Sequence, residues 1–392
     1  MSKRHLLVAA FLAVGIAAPA GSQERGPSRM RARECDPSND PNKAHCVSAI
    51  VFTSTRNGAL DIYLQVMNET NTPDTDIAPI RLTQNEAGGN GFPVLSPDGK
   101  RIVFDTFRLL PGNRVNISDL FLMNADGTDQ RLLTVTADGT PRGGTSATWS
   151  PDGKWLAFHR SASGAACPPP PRLPGIPGCP IKMDPGAATW DSDIFIMRVH
   201  DADEPVEDPI NITNTPSLID DDADWSPDGL KIVFTAHDVT DNQTNSKTAE
   251  IYVLDLEKAE DDPARVTRLT FNHEEERAPA WSPDGTRIAH MCRKGRPLDA
   301  NGLPTTFEIC VMNADGTGQI RLTDNSAFEG TPTWSPDGQK IVFARMVALG
   351  RQQLFLIHQD GTGETQLESP PPLGTNLFAN WGELWVGGRG PR

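Results

Sequence analysis

Short apolar runs alternate with polar turns along almost the whole of this chain of 392 residues. Typical runs are Ile102-Val103-Phe104, Ile232-Val233-Phe234 and Ile341-Val342-Phe343, and each follows a cluster of Pro, Asp and Gly residues. After the N-terminus, no long stretch shows the spacing of three and four residues that marks an amphipathic helix. The pattern therefore predicts an all-β protein built of many short strands joined by turns.

One five-residue motif precedes five of these runs and divides the chain into repeats. Its copies are Leu95-Ser96-Pro97-Asp98-Gly99, Trp149-Ser150-Pro151-Asp152-Gly153, Trp225-Ser226-Pro227-Asp228-Gly229, Trp281-Ser282-Pro283-Asp284-Gly285 and Trp334-Ser335-Pro336-Asp337-Gly338. Pro presets φ and Gly accepts positive φ, so each copy predicts a tight turn between a first and a second strand. We expect the signature tryptophans to pack between repeats. A repeat of about fifty residues that is built of strands is typical of a β-propeller.

The two chain ends supply one further repeat. Residues 49–83 hold a second, third and fourth strand without a first, and Ala379-Asn380-Trp381-Gly382 has the form of the missing strand. Pairing these ends would close the ring and hide two sheet edges. We therefore predict an all-β, six-bladed propeller of four-stranded blades over residues 47–388. Because a closed ring has no free edge that demands pairing, we expect a monomer.

The first twenty residues have the order of an export signal. Lys3 and Arg4 form a basic start, an apolar run of about a dozen residues follows, and Ala18-Pro19-Ala20 offers small residues for cleavage. As a transmembrane anchor the apolar run would be short. We predict a signal peptide at 1–20, an irregular N-terminal segment at 21–46 and a tail at 389–392. The protein is then periplasmic or secreted, with no membrane insertion after cleavage.

Six cysteines in an exported chain are candidates for disulfides. Their order suggests three local pairs, which are Cys35 with Cys46, Cys167 with Cys179, and Cys292 with Cys310. The last pair is the best supported, because both residues fall on strands that should be neighbours in one hairpin. Buried free thiols are the alternative. Zinc binding is disfavoured because the chain has no CxxC spacing.

The repeat resembles the WD40-like, TolB-type propeller repeats of bacterial envelope proteins, whose consensus contains W-S-P-D-G followed by I-A-F. The resemblance covers about residues 47–388 and implies a propeller fold. TolB itself carries an α/β domain ahead of its propeller, whereas only residues 21–46 precede the first strand here. The partner contacts made through that domain are therefore not implied for this chain.

Topology predicts that all long loops lie on one face of the ring. In a four-stranded blade, the first and third turns leave from one face, and both are tight here. The second turn and the link to the next blade leave from the other face, called the loop face below. Loops on a rigid scaffold are frequent binding sites. The candidate binding residues on the links are Asp220, Asp221, Asp222, Asp224, Glu274, Glu275, Glu276, Arg277 and Glu329.

The links surround the mouth of the axial channel, where converging carboxylates would focus a negative potential. Three interpretations stay open: a basic protein or peptide partner of the cell envelope, a hard cation such as Ca²⁺, or simply solvated loop charges. His237 and His273 also fall on the loop face, where a lone histidine is usually solvated. The formal net charge of −15 argues against nucleic acid and against anionic membrane surfaces.

Motifs of catalysis are missing from the sequence. It contains no G-x-S-x-G, no H-E-x-x-H and no phosphate-binding glycine loop. We therefore assign no catalytic residue and no cofactor, and predict an exported, non-catalytic propeller that binds an envelope protein or peptide at an acidic channel mouth. The alternative is a metal-dependent hydrolase or lyase acting at the same mouth, and a structural or adhesive module is a third possibility.

Overall fold

The computed structural model describes residues 45–68, 70–74, 77–84, 89–106, 118–134, 143–161, 192–200, 208–215, 218–238, 249–271, 274–293, 306–368 and 374–386. These residues form 24 strands in six four-stranded sheets. Each sheet is antiparallel throughout. Within the described ranges, no helix has the length and apolar character needed to cross a bilayer.

Each sheet is one blade, and its strands follow the chain. Blade 1 contains β1 (His45–Ser54), β2 (Asp61–Val66) and β3 (Ile80–Arg81). Blade 2 contains β4 (Asn90–Leu95), β5 (Arg101–Thr106), β6 (Asp119–Asn124) and β7 (Arg131–Leu132). Blade 3 contains β8 (Thr145–Trp149), β9 (Trp155–Ser161), β10 (Ser192–Arg198) and β11 (Ile210–Asn211).

The other three blades repeat this order. Blade 4 contains β12 (Leu218–Trp225), β13 (Lys231–Asp238), β14 (Ala249–Asp255) and β15 (Val266–Arg268). Blade 5 contains β16 (Glu276–Trp281), β17 (Arg287–Cys292), β18 (Glu308–Asn313) and β19 (Ile320–Arg321). Blade 6 contains β20 (Glu329–Trp334), β21 (Lys340–Ala348), β22 (Arg351–His358) and β23 (Thr365–Gln366). The last strand, β24 (Asn376–Val386), returns to blade 1.

The ring closes between the two ends of the described chain. β24 pairs antiparallel with β1, with Trp381 opposite Ile50 and Gly382 opposite Ala49. The strand order in blade 1 is therefore β24-β1-β2-β3, so the C-terminal strand is the innermost strand of the N-terminal blade. This confirms the predicted six-bladed, four-stranded propeller and its closure. β1 begins at His45, two residues before the predicted boundary at 47.

The signature motif has the same structure in all five copies. Its Ser hydroxyl donates to the Asp carboxylate at 2.6 Å in each turn. The signature tryptophans and Trp381 are 3–8% exposed, which confirms that they are core residues. The indole of Trp149 donates to the carbonyl of Val94 at 3.2 Å, so it reaches from blade 3 to blade 2. The motif thus makes both a turn and a joint between blades.

The Arg-Leu-Thr pattern of the fourth strands also has a structural role. Asp61 at the start of β2 is fully buried, and Arg81 and Thr83 both bind its carboxylate. The Thr83 hydroxyl also accepts the backbone N–H of Ile62 at 2.9 Å. Buried charge is stable only when it is paired and hydrogen-bonded. These acids are therefore part of the blade scaffold.

A disulfide joins Cys292 on β17 to Cys310 on β18, as the hairpin argument predicted. Both residues are 2% exposed, so the bond lies inside blade 5. Cys46 is also disulfide-bonded. Its predicted partner Cys35, and the predicted pair Cys167 and Cys179, lie outside the described residues. Those two pairings stay predictions.

Blade 5 departs from the other blades at one buried position. In the other five, a second-strand Phe lies beside a third-strand Phe or Tyr, with ring centroids 5.8–6.2 Å apart. In blade 5 the corresponding residues are His290 and Cys310, which lie opposite each other in the register. His290 is 0% exposed, and its Nε2 lies 3.7 Å from the Glu276 carboxylate. Burial lowers the pKa of His290, although Glu276 opposes the shift.

Restoring phenylalanine at this position should remove a source of acid sensitivity. A histidine whose pKa is lowered by folding destabilises the fold as pH falls below its unfolded value of about 6.5, because the unfolded chain takes up the proton first. Relative to His290→Phe, the wild type should therefore lose about 1 kcal/mol of unfolding free energy between pH 7 and pH 5.5. Urea denaturation of both proteins at these two pH values measures the difference. Equal losses would show that folding does not lower the pKa of His290.

Candidate functional site

The six innermost strands line the propeller axis and share an irregularity. Each contains a bulge, where the register shifts, three residues before the signature Trp or its equivalent. The bulge residue has a positive φ of 47–52° in every blade, although none is glycine. These six residues, called the bulge ring below, are Phe378, Phe92, Ser146, Asp222, Ala278 and Thr331, in the order of blades 1 to 6.

The bulge ring lies on the innermost strands, which border the axial channel. Its members are all half-buried, while the residue that follows each of them is buried. Phe378 of blade 1 and Phe92 of blade 2 stack on each other with ring centroids 3.7 Å apart. Side chains of neighbouring blades can meet in this way when both point toward the shared axis. The ring therefore places two stacked aromatic side chains and one carboxylate on the channel wall.

The second strand of the preceding blade holds the bulge in place. The N–H of Ser146 donates to the Asp105 carboxylate at 3.1 Å, and the N–H of Ala278 donates to the Thr235 hydroxyl at 3.2 Å. At the corresponding position the N–H of Asp222 points to His159 Nδ1 at 3.4 Å. These contacts cross between blades, so the shape of the channel wall depends on how the blades are packed.

Asp224, one of the predicted binding residues, connects three blades. Its carboxylate accepts a hydrogen bond from the Thr148 hydroxyl of blade 3 at 3.0 Å. It also accepts one from the backbone N–H of Trp281 in blade 5 at 2.8 Å. Burial raises the pKa of Asp224 to about 6. Because both oxygens are used between blades, the geometry gives this residue a scaffold role.

The structure corrects the expectation that the acidic run Asp220-Asp221-Asp222 lies in a link. All three residues belong to β12, and the side chain of Asp220 is fully buried. Asp220 accepts a hydrogen bond from the Thr215 hydroxyl at 2.5 Å, and burial raises its pKa to about 7. The run does not form one surface, because the side chain of Asp220 is buried whereas Asp221 and Asp222 are half-buried. Asp220 therefore does not belong to the open channel mouth.

The second acidic run is also divided. Glu276 lies on β16, is 0% exposed, and accepts a hydrogen bond from the Gln319 side chain at 2.7 Å. The Glu275 carboxylate accepts a hydrogen bond from Nε of Arg277 at 2.7 Å. Glu274, which precedes the strand, is half-buried. Glu275 and Glu276 are therefore paired within the fold and do not form an open acidic patch.

Glu329 is likewise inside the fold. Its side chain is 0% exposed, and Arg345 pairs with it at 2.5 Å. Asn325 adds a hydrogen bond from its side-chain amide at 2.7 Å. A buried carboxylate with these partners is compensated, so it offers no free negative charge to a ligand.

Among the described residues, five ionisable side chains from three blades come together around Asp221. They are Asp221 and Asp222 on β12, His237 on β13, His159 on β9 and Arg277 on β16. His237 was expected to be solvated, but its side chain is only 12% exposed, and its Nε2 lies 3.3 Å from the Asp221 carboxylate. His273 lies outside the described residues. We call these five residues the channel charge group.

The two aspartates of this group titrate differently. Burial alone would raise the pKa of Asp221, but the charges of His237, His159 and Arg277 outweigh it and hold that pKa below its usual range. Burial, and after it the Asp221 carboxylate, raise the pKa of Asp222 to about 7. Burial lowers the pKa of His159. Asp221 is therefore ionised at neutral pH, while the Asp222 carboxyl is present in both its protonated and its ionised form.

The part of the chain that the structure describes contains no group of side chains arranged as a metal site. Within it, no three His, Cys, Asp or Glu side chains are grouped so that they could hold an ion. The Ca²⁺ interpretation stays an untested expectation.

Sequence reasoning missed the aromatic members of the bulge ring and His159. The signal was present, because Phe92 and Phe378 both stand three residues before the signature position of their repeat. Knowing that this position carries the bulge would have identified all six residues.

Comparison with known proteins agrees with the propeller fold. A family model described as the TolB beta propeller domain, PD40, matches residues 187–383. The chain belongs to this family. The crystal structure of TolB from Acinetobacter baumannii superposes with a TM-score of 0.57 at 18% identity, over 85% of this chain and 66% of that one. A putative TolB from Agrobacterium tumefaciens gives a TM-score of 0.52 at 18% identity, over 86% and 98%.

The curated relatives match over shorter segments. The Tol-Pal system protein TolB of Alcanivorax borkumensis is 34% identical over 88 residues, which is 22% of this chain and 18% of that protein. The present chain therefore spans less than a fifth of that relative's length in the match. This TolB-type propeller shares the repeat and the fold with these proteins, and its own binding chemistry has to be argued from its own residues.

Proposed function

We propose that this TolB-type propeller is an exported, non-catalytic binding protein. It holds a basic segment of a cell-envelope protein or peptide at the loop-face mouth of its axial channel. The observation that carries the proposal is the pair Asp221 and Asp222, two adjacent and half-buried carboxylates on the innermost strand β12, beside the channel. Because partial burial raises the pKa of Asp222 to about 7, an incoming positive charge would be matched by ionisation of that carboxyl.

The backbone of the ring supports the same conclusion. A residue other than glycine costs roughly 1–2 kcal/mol in the left-handed region. All six innermost strands accept this cost at the same position, the bulge that borders the channel. Strained backbone of this kind is often found at binding and catalytic sites. The predicted signal peptide at 1–20 supports export, and the family resemblance supports an envelope partner.

No observation in the described ranges favours the alternative of a metal-dependent hydrolase or lyase at this mouth. The acidic residues that suggested it are divided between the channel wall and the interior. Asp220, Glu276 and Glu329 are buried, and Asp224 connects blades.

Neutralising the two channel aspartates should abolish partner capture. Wild-type protein and the Asp221→Asn/Asp222→Asn variant are immobilised and exposed to an envelope extract of the native host. The retained protein is identified by mass spectrometry and its affinity is then measured with purified material. We expect the variant to bind at least about thirtyfold more weakly, since removing a charge partner from a desolvated site typically costs 2–5 kcal/mol.

A matched variant controls for the loss of two charges. Asp126→Asn/Asp315→Asn removes two exposed carboxylates from turns on the face opposite the loop face. It should capture as well as the wild type. A partner that binds all three proteins equally would show that the channel aspartates are not the binding site.

A further inference from the structure

We propose that the bulge ring forms a subsite for one lysine-like side chain, a primary ammonium group on an unbranched aliphatic stem. The subsite lies between the stacked rings of Phe92 and Phe378 on one wall and the Asp222 carboxylate on the other. This inference rests on the proposed function, because it names the group of the partner that would enter the channel.

The arrangement of the ring follows from the order of the blades. Phe378 and Phe92 belong to blades 1 and 2, while Asp222 and Ala278 belong to blades 4 and 5. In a closed ring of six blades, blade 1 lies across the axis from blade 4, and blade 2 lies across from blade 5. The aromatic pair therefore faces the carboxylate and the small Ala278 side chain. The channel at this level has one apolar wall and one acidic wall.

The two walls select a ligand that is both apolar and positively charged. Aromatic faces attract cations and also bury methylene groups. A carboxylate in a partly desolvated site pairs strongly with an ammonium group. A neutral aliphatic group would leave Asp222 without compensation, and a small hydrated ion would gain little from the aromatic wall. An ammonium group on an aliphatic stem satisfies both walls at once.

Two neighbours of Asp222 favour its ionised form, the backbone N–H of Ala278, which donates to its carboxylate, and the guanidinium of Arg277. Arg277 lies near enough to favour its ionisation, but the guanidinium of Arg277 donates to Glu275. His159 meets the backbone N–H of Asp222, and His237 pairs with Asp221. The charged groups that face Asp222 from the packed strands are therefore Asp221, His159, His237 and Arg277. Of these, Arg277 binds Glu275, His237 pairs with Asp221, and His159 contacts the backbone N–H of Asp222.

The pH dependence of binding follows from Asp222. Its pKa of about 7 means that the carboxyl is mostly protonated at pH 6 and mostly ionised at pH 8. An ammonium ligand pairs with the ionised form, so its affinity should rise about tenfold over this interval. The Asp221 carboxylate, whose pKa lies below the usual range, stays ionised between pH 6 and pH 8 and therefore does not contribute to the pH dependence of binding.

The test uses n-butylammonium, which has the stem and charge of a lysine side chain, and n-butanol as its neutral analogue. Binding to the full-length protein is followed by ligand-observed NMR and two-dimensional NMR titration at pH 6 and pH 8. We expect n-butylammonium to bind about tenfold more tightly at pH 8, and n-butanol to bind weakly at both values. Asp222→Asn should weaken n-butylammonium about tenfold at pH 8 and remove the pH dependence.

A control variant separates local charge from net charge. Asp129 also has a positive φ, 54°, but it is exposed on the opposite face. Asn tolerates the left-handed region well, so both Asp222→Asn and Asp129→Asn should fold, which circular dichroism and thermal melting confirm. Asp129→Asn should bind n-butylammonium like the wild type. Phe92→Leu should weaken n-butylammonium while preserving the pH dependence.

The outcomes distinguish this inference from the proposed function. The lysine subsite would be overturned if n-butylammonium did not bind, or if Asp222→Asn left its affinity unchanged. This would hold even if partner capture still required Asp221 and Asp222. Binding that depends on both Asp222 and Phe92 would support the subsite. If partner capture were then unaffected by the channel variants, the subsite would stand and the proposed docking of an envelope partner would be wrong.

Discussion

Gly99→Ala should destabilise the propeller by about 3–5 kcal/mol, far more than the same change in any other signature turn. Gly99 has a φ of +66°, and a Cβ added there would lie 2.5 Å from the backbone nitrogen of Trp385 and against the carbonyl of Glu383. Those atoms belong to β24, which cannot move away without leaving β1. The substitution therefore combines backbone strain with a clash against the strand that closes the ring.

Gly153→Ala is the matched control for this prediction. Gly153 has nearly the same φ, +68°, but its nearest neighbour would be the Cδ of Pro97 at 3.7 Å, which is an ordinary contact. It should cost only the left-handed penalty of roughly 1–2 kcal/mol. Chemical denaturation of both variants measures the two losses. Similar values would mean that the end of β24 does not cover the blade 2 turn in solution.

Trp381→Ala should have a comparable effect and should open the ring at one place. Trp381 is 5% exposed and packs in one cluster with Ile50 and Phe52 of blade 1 and with Val342 and Leu356 of blade 6. Truncating a buried Trp typically costs 3–5 kcal/mol. We expect hydrogen exchange to accelerate in both β24 and β1, because each strand is the other's ladder partner.

Trp381→Phe separates packing from hydrogen bonding at this position. It keeps an aromatic ring but loses the indole N–H, which donates to the Ser48 hydroxyl at 2.8 Å. The loss should be about 1 kcal/mol for the bond, plus the smaller ring volume. If the alanine variant accelerated exchange in β24 while β1 stayed protected, β1 would be held by β2 alone. The closure would then contribute less stability than the pairing indicates.

Much of the fold was predictable from short-range pattern. The Pro-Asp-Gly turns and the apolar second strands repeat along the chain, and they are local features that depend on a few neighbouring residues. The sixth blade followed from strand counting at the two ends, and β24 pairs with β1 as expected. The same argument placed Cys292 and Cys310 in one hairpin, where the disulfide is found.

The candidate site was less predictable, because the innermost strands do not look like strands. Three successive aspartates lack the apolar alternation of a typical strand, so Asp220-Asp221-Asp222 was assigned to a link although it lies in β12. His237 was assigned to solvent for a similar reason, although it ends up beside Asp221. An acidic count along the chain could not tell which carboxylates point to the channel and which point to the interior.

The sequence by itself determined the repeat, the number of blades, the tight turns and the strand that closes the ring. Only the tertiary structure decided which charges are available to a ligand. Glu329 is neutralised by Arg345 of the neighbouring strand, and Asp224 is used by Thr148 and Trp281 of two other blades. These pairings join residues that are distant in the chain. They depend on strand register and on blade packing, which a one-dimensional pattern of polar and apolar residues does not contain.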